Sequence, residues 1–376
     1  MHRSVDVVII GGGVIGCSIA YQLAKRGIQA IILEKDRIAS GASSAAAGML
    51  GAQSEQFQSP ALFDLARQSR AMFPSLATEL REASGIDIGF MQFGMLKVAL
   101  SPNEAAELQL TTSKQLSVGE QAEWLDAYAA RQLEPELSDH IIGAMHIPGD
   151  GHVVAPDLTQ AFARSSIRHG VEIREFAEVL QLLHRDGQIE GVKTSKETLY
   201  CKQVIVATGA MTQPFFAKVG VHVPIYPVKG ECFAVRMAKP LFQKTIYTES
   251  CYLVPKRSGE ILIGATTTPN CWDTKVTLQG LVTLFERAQQ LIPAIRHTEW
   301  SRTWAGLRPQ TATGMPYMGE HPQLRGLFLA AGHYRNGILL SPITGHIMAE
   351  LITGHTPIQD IRLFAVPESS THTVEV

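Results

Sequence analysis

The sequence predicts an α/β chain: a domain with a parallel sheet, assembled from discontinuous segments, and a second α+β domain with a mainly antiparallel sheet inserted between them. Three observations predict it. Residues 5–10 (VDVVII) are a β-branched run bounded by Gly11, Gly12 and Gly13, the pattern of a strand buried on both faces. A helical stripe and a second apolar run follow by residue 34, so the opening reads as strand, helix, strand. After a long mixed middle, residues 329–354 return to a buried strand, a glycine loop and a helix.

In order, Ile15, Ile19 and Leu23 fall at i, i+4 and i+8 on one helical face, and Gly27 closes the helix as its C-terminal cap. Residues 28–33 give the second buried strand, ending at Glu34. The stretch 39–51 (ASGASSAAAGMLG) is almost all small residues; directly after a strand–helix–strand unit, it reads as a loop where backbone approaches a ligand closely. A helix is predicted over 60–84 and a strand over 90–100. Turn residues at 149–156 (GDGHVVAP) precede a helix over 157–168 that stops before Gly170. Strands are predicted at 203–207, 231–236, 252–255 and 261–264. The expected division is 1–88, 148–222 and 307–376 for the first domain, with 89–147 and 223–306 for the second.

Apolar residues make up 45% and charged ones 18%, which fits a packed globule and excludes a disordered chain. The formal net charge of -2 offers no basic surplus for nucleic acid or an anionic membrane, leaving small molecules as the expected partners. Cys17, Cys201, Cys232, Cys251 and Cys271 contain no CxxC pair, and the histidines show neither HExxH nor another ligand spacing, so no metal is expected. Unpatterned thiols suit a reducing compartment. The apolar run starting at Val5 leaves no room for a cleavable leader, and no uninterrupted apolar stretch of about 18 residues occurs. A cytoplasmic protein without a membrane span is expected.

Gly11, Gly13 and Gly16 supply GxGxxG between the first strand and the helix. The first glycine makes a tight turn, the second lets backbone N–H groups reach a pyrophosphate, and the third allows close helix packing; Glu34 can accept from adenosine ribose hydroxyls. GxGxxG alone describes many glycine turns. Here strand, helix, second strand and terminal acid all sit where dinucleotide binding needs them, and a Rossmann-type domain is expected. FAD and NAD share this fingerprint, but two further segments favour FAD. Residues 205–209 (IVATG) are a buried strand running into a glycine turn, suited to passing the same cofactor again. In 329–354, Ser341 reads as N-cap, Pro342 as the first helical position and Gly354 as the stop. A helix N-terminus there would present positive charge where reduced flavin gathers negative charge; an ordinary core helix is the other reading. Cofactor contacts are expected from Gly11, Gly13, Val14, Ile15 and Gly16 at the turn, and from Glu34 and Lys35 at the second strand. Others are expected from Ala42, Ser43, Ala47, Gly48 and Met49 in the small-residue loop, and from Val179, Thr208 and Gly209. The last come from His333, Tyr334, Arg335, Asn336, Gly337, Ile338 and Leu339, joined by Arg308.

Several motifs in this order carry a resemblance that spans nearly the whole chain: GGGVIG with Glu34, SSAAAGMLG (43–51), PVKGE (227–231), CYLVP (251–255), WAGLRP (304–309) and AAGHYRNGILLSP (330–342). The sequence resembles the D-amino-acid oxidase superfamily of FAD enzymes, and within it the bacterial glycine oxidases. The resemblance implies oxidation of glycine to an imine that hydrolyses to glyoxylate and ammonia, with oxygen reduced to hydrogen peroxide. It also implies a homotetramer and a link to thiamine thiazole synthesis. An arginine at the position of Arg308 and a tyrosine matching Tyr252 would hold the substrate carboxylate, with Arg335 near flavin and substrate. Met49, Gly51, Ser250 and Thr267 would line the pocket. Where glycine oxidases carry histidine and methionine, this chain has Ser250 and Thr267, so the choice among glycine, sarcosine and small D-amino acids stays open. Related sarcosine oxidases attach flavin through a cysteine near the C-terminal segment; none follows Cys271 here, so FAD is expected to be held non-covalently.

The chemistry agrees with these assignments. An amino-acid carboxylate needs a fixed cation, and arginine's planar fork binds it with two hydrogen bonds. Arg308, flanked by Trp304 and Leu307, is the candidate, the alternative being a surface or interdomain ion pair. Tyr252 can donate its hydroxyl to the same carboxylate or serve as a core tyrosine. Hydride passes from the α-carbon to flavin N5 with help from the amine lone pair, which asks no acid–base residue of the protein. His333, alone in a glycine loop, reads as structural before it reads as a base. Three rivals remain: an FAD dehydrogenase that passes electrons to a carrier, a flavin-binding protein without turnover, and a tRNA-modifying FAD enzyme. The last would want a basic face.

Overall fold

The computed structural model describes residues 4–55, 59–218, 222–237 and 241–367. An eight-stranded sheet has five parallel strands at its centre, in spatial order Glu172–Arg174, Ala30–Leu33, Ser4–Ile10, Thr198–Val206 and Leu324–Ala331. The remaining strands pair mainly antiparallel: Tyr317–His321 beside the last of these, and the hairpin Val179–Arg185 with Gln188–Thr194, whose start also meets Arg325 in parallel. Alternation explains the near-continuous apolar runs. Val7, Ile9 and Ile32 enter one core cluster, while Val8, Ile10, Ile31 and Leu33 enter another on the opposite face.

The helix Val14–Lys25 is buried from Val14 to Ala24, on every side and not along a stripe alone. It is covered by two other helices, Ala155–Arg168 and Gly337–Ile352. A cross-helix hydrogen bond from Ser18 Oγ to Ser341 O, 2.7 Å, marks how closely the last of these approaches.

The second sheet has nine strands, drawn from residues 95–311, and is antiparallel except where Thr245–Tyr247 runs parallel to Met95–Ala99. Its two longest strands, Ile225–Arg236 and Glu299–Thr311, pair along most of their length and set Val228 opposite Arg308. The first of these begins six residues before the predicted start at 231, because Pro227, Lys229 and Gly230 break the apolar pattern. Lys229 is nonetheless buried, paired with Glu231 at 3.2 Å and Asp273 at 2.8 Å.

Other boundaries move for local reasons. The predicted strand over 90–100 shortens to Met95–Ala99, and the helix expected from 157 starts at Ala155 with Pro156 in its first turn. The helix over Pro60–Ser84 appears as predicted, ended by Gly85 in the left-handed conformation. The C-terminal helix is a correction. It begins at Gly337, with Asn336 as N-cap, so Ser341 is not the cap and Pro342 lies inside the helix. Pro342 cannot donate to the carbonyl of Ile338, and Ser341 Oγ takes that carbonyl instead, at 2.9 Å. Among the described residues no helix is long and apolar enough to cross a membrane.

Candidate active site

A cavity of about 720 Å³ is lined by residues of both sheets. The turn after the first strand contributes Gly11, Gly13, Val14 and Ile15, and the second strand contributes Glu34 and Lys35. Ala42, Ser43, Ala47, Gly48 and Met49 of the small-residue loop line it as well, with Val179, Thr208 and Gly209. From the far end of the chain come Arg308, His333, Tyr334, Arg335, Gly337 and Ile338, and Tyr252 lies on the same wall.

The turn is built for close approach. Gly11 has φ +109, and a Cβ there would lie 2.5 Å from Ala207 O, just past the end of the neighbouring strand Thr198–Val206. At Gly16 a Cβ would collide with the Gly11 carbonyl, so this glycine packs the helix against the turn and stays out of the cavity wall. Gly13 differs: its Cβ would meet only Ser43 Oγ, at 3.3 Å, leaving the space beyond open to a ligand. Ser43 Oγ accepts from Val14 N–H at 2.9 Å, supplying the helix cap that Gly13 lacks. Glu34 accepts from Gly12 N–H at 2.7 Å and from Asp36 N–H at 2.9 Å, which braces the turn against the end of the second strand.

The small-residue loop is pinned from two sides. Trp304 Nε1 donates to Ala45 O at 3.0 Å, and Lys256 Nζ donates to Ala47 O at 2.7 Å and Val153 O at 2.8 Å. Burial without a carboxylate partner pushes the Lys256 amine down to about 7.

On the other wall, Arg308 donates to Thr266 O at 3.2 Å, and no carboxylate of the described residues pairs with it within the range of an ion pair. Its guanidinium lies over Gly230. The Tyr252 hydroxyl is 3.6 Å from Cys232 Sγ, and burial raises it well above the ordinary tyrosine range. Arg335 Nε is 3.2 Å from Glu55 Oε1, and Tyr247 OH bridges the two residues at 3.4 Å from each. The Glu55 charge holds Arg335 protonated, while burial raises the Glu55 carboxyl. His333 is buried, bonds Thr344 Oγ1 at 3.0 Å and is pushed down to about 3, so it is neutral and held within the fold.

Several expected residues fall elsewhere. Gly51, Asn336 and Leu339 do not line the cavity, nor do Ser250 and Thr267, which are exposed. Ser250 sits in a turn closed by Thr248 Oγ1 and Cys251, and Thr267 lies past the end of the strand Glu260–Gly264. Gly230 entered the sequence reading only within PVKGE (227–231) and Cys232 only as a thiol, while Glu55, Tyr247 and Lys256 were not singled out. No local pattern marks them, since each acquires its neighbours only through tertiary packing. Among the described residues no group of three histidine, cysteine or acidic side chains could hold a metal ion.

The model of the FAD dependent oxidoreductase family matches residues 6–351. The chain belongs to that family. It is 46% identical over 368 residues to a glycine oxidase of Geobacillus kaustophilus, covering 97% of each chain. It is 34% identical over 360 residues to the bifunctional protein ThiO/ThiG of Synechocystis, covering 94% of this chain and 52% of that protein. The crystal structure of glycine oxidase from Geobacillus kaustophilus superposes with a TM-score of 0.94 over 97% of this chain and 99% of that one. The residues present fit the cofactor of an FAD-dependent oxidoreductase. A ligand at the open side of Gly13 meets backbone N–H groups and the start of the helix Val14–Lys25, while the start of Gly337–Ile352 faces the same cavity.

Proposed function

We propose that this chain oxidises glycine, using non-covalently held FAD, to an imine that hydrolyses to glyoxylate and ammonia, with oxygen reduced to hydrogen peroxide. The observation that carries the reading is Arg308: a partly buried guanidinium beside the cavity, with a neutral carbonyl as its hydrogen-bond acceptor and no carboxylate of the described residues against it. A substrate carboxylate completes that site with charge-assisted hydrogen bonds, and Tyr252 OH adds a neutral donor that burial keeps protonated. Bound FAD supplies the acceptor for two electrons. The protein's part is to hold a small zwitterion by its carboxylate so that its C–H bond faces that acceptor, and to exclude water around it.

Support for glycine over other amino acids comes from the likeness to glycine oxidases and from bulky groups, Met49, Tyr252 and Arg335, crowding the same cavity. The five-segment domain division belongs to the same proposal: sheet membership supports it, although the strand Glu299–Thr311 runs across the 306/307 division. A homotetramer, a cytoplasmic location and a supply of imine to thiazole synthesis complete it, the last supported by the likeness to the bifunctional ThiO/ThiG protein.

The test is anaerobic flavin bleaching by glycine, sarcosine, D-alanine and D-proline, followed by peroxide and glyoxylate measured in air. Bleaching fastest with glycine, and peroxide in step with glyoxylate, is expected. Bleaching without peroxide would point to a dehydrogenase, and absence of bleaching would end the oxidase reading.

A further inference from the structure

An amino acid reaches this site as a zwitterion, yet departure of hydride from its α-carbon is assisted by the lone pair of a neutral amine. The ammonium must lose a proton inside a pocket that already holds the guanidinium groups of Arg308 and Arg335. Among the described residues four carboxylates line the cavity, those of Glu34, Asp36, Glu55 and Glu178, and of these only Glu55 pairs with either guanidinium.

Glu55 is well placed to receive that proton. Its side chain is 7% exposed, and it ends the short helix Ala52–Glu55. The helix rests on a fixed support: the buried Asp150 carboxylate accepts from Ser54 N–H at 3.3 Å and from Arg70 Nη1 at 2.6 Å. Charged and titratable groups reach Glu55 from the neighbouring elements, and Lys97 of the strand Met95–Ala99 donates to the adjoining Ser54 O at 3.2 Å. Arg335 comes from the loop before the last helix and Arg308 from the strand Glu299–Thr311, both favouring the anion. Tyr247 donates from the strand Thr245–Tyr247, and Asp150 and Glu249 oppose the anion, as does burial. Beside Arg335, the group thus gains a proton more readily than a carboxylate in water.

Resting on the glycine-oxidising reading above, and departing from the expectation that the chemistry asks no acid–base residue of the protein, we propose that Glu55 receives the ammonium end of the substrate and accepts its proton. One N–H bond breaks and one O–H bond forms; the electron pair of the broken bond stays on nitrogen as the lone pair, and nothing is oxidised in this step. The proton returns to water when product leaves.

The test uses the FAD-loaded protein with Glu55→Gln, which preserves shape and removes the acceptor. Anaerobic flavin reduction by glycine is followed from neutral pH to above the pKa of the free ammonium. The second-order rate constant at neutral pH is expected to fall at least about tenfold, and the deficit to close at high pH, where the amine arrives neutral. Acetate carries the carboxylate without the amine. Read by its perturbation of the flavin spectrum, it is expected to bind wild type and variant alike. A deficit that is uniform across pH and reproduced by Arg335→Met would overturn the proposal, because Glu55 would then only hold Arg335. So would a profile identical to wild type. Should Glu55→Gln purify colourless, Glu55→Asp retains the charge: a slower rate with the wild-type pH profile supports the proposal, and a profile that climbs with pH overturns it. If wild type itself is not bleached by glycine, the oxidase reading fails and takes this proposal with it; bleached wild type with an unresponsive variant sinks the role of Glu55 alone.

Discussion

Gly230 lies directly beneath the Arg308 guanidinium: a Cβ on Gly230 would stand 2.5 Å from Cζ, closer than van der Waals contact allows. The strand pairing that sets Val228 opposite Arg308 and Gly230 opposite Gly306 puts the two residues two positions apart on adjacent strands and fixes this overlap. Gly230→Ala is therefore expected to displace the guanidinium. KM for glycine should rise about tenfold or more with the flavin still bound, matching Arg308→Ala, since a charged hydrogen-bonded contact contributes about 1.5–3 kcal/mol. Steady-state kinetics beside a flavin spectrum decide it, and an unchanged KM in Arg308→Ala removes that residue from the carboxylate site.

Gly13 offers a cleaner separation of folding from binding. Its backbone is extended, at φ -76 and ψ 178, a conformation valine adopts readily. The nearest protein atom to its Cβ is Ser43 Oγ at 3.3 Å, a side-chain oxygen that must yield by a few tenths of an ångström while no backbone stands in the way. Valine does fill the approach to the turn's N–H groups. Gly13→Val is expected to purify colourless with near-wild-type circular dichroism; a yellow Gly13→Val would show that the pyrophosphate lies elsewhere.

How much of this was legible beforehand follows from where each signal resides. The turn at Gly11, Gly13 and Gly16 was readable because its requirements are local to one strand and one helix. Ser341 and Pro342 misled for the same reason: in sequence they form a good helix start, and only the structure shows Ser341 occupying the carbonyl that Pro342 leaves vacant. Glu55 carried no signal, since a lone acid in a polar stretch acquires meaning only when Arg335 folds against it. Lys256 was equally silent, because its two acceptors are backbone carbonyls that no residue pattern encodes.

His333 provides a negative prediction. Burial pushes it down to about 3, and its Nε2 is engaged with Thr344, so it does not titrate near neutrality. His333→Gln is expected to lower Tm while leaving the pH dependence of flavin reduction unshifted. Loss of a pH limb in that variant would restore the histidine as a base.

Lys256 couples the anchoring of the small-residue loop to pH. Below about pH 7 it is charged both folded and unfolded, and the folded chain bears the full desolvation cost. Between about 7 and the ordinary 10.5 it is neutral when folded and charged when unfolded. The unfolded chain then binds more protons, and stability from this group rises with pH through that window. A neutral amine still has two N–H groups, enough for Ala47 O and Val153 O, so the clamp survives deprotonation. Lys256→Met leaves both carbonyls without that donor at every pH but removes the charge penalty only where it existed. The variant's Tm deficit is accordingly expected to be small at pH 6 and to widen by on the order of a few degrees at pH 9. Thermal unfolding of both proteins at the two pH values checks the sign, and a deficit that narrows as pH rises would mean that Lys256 is held as a cation.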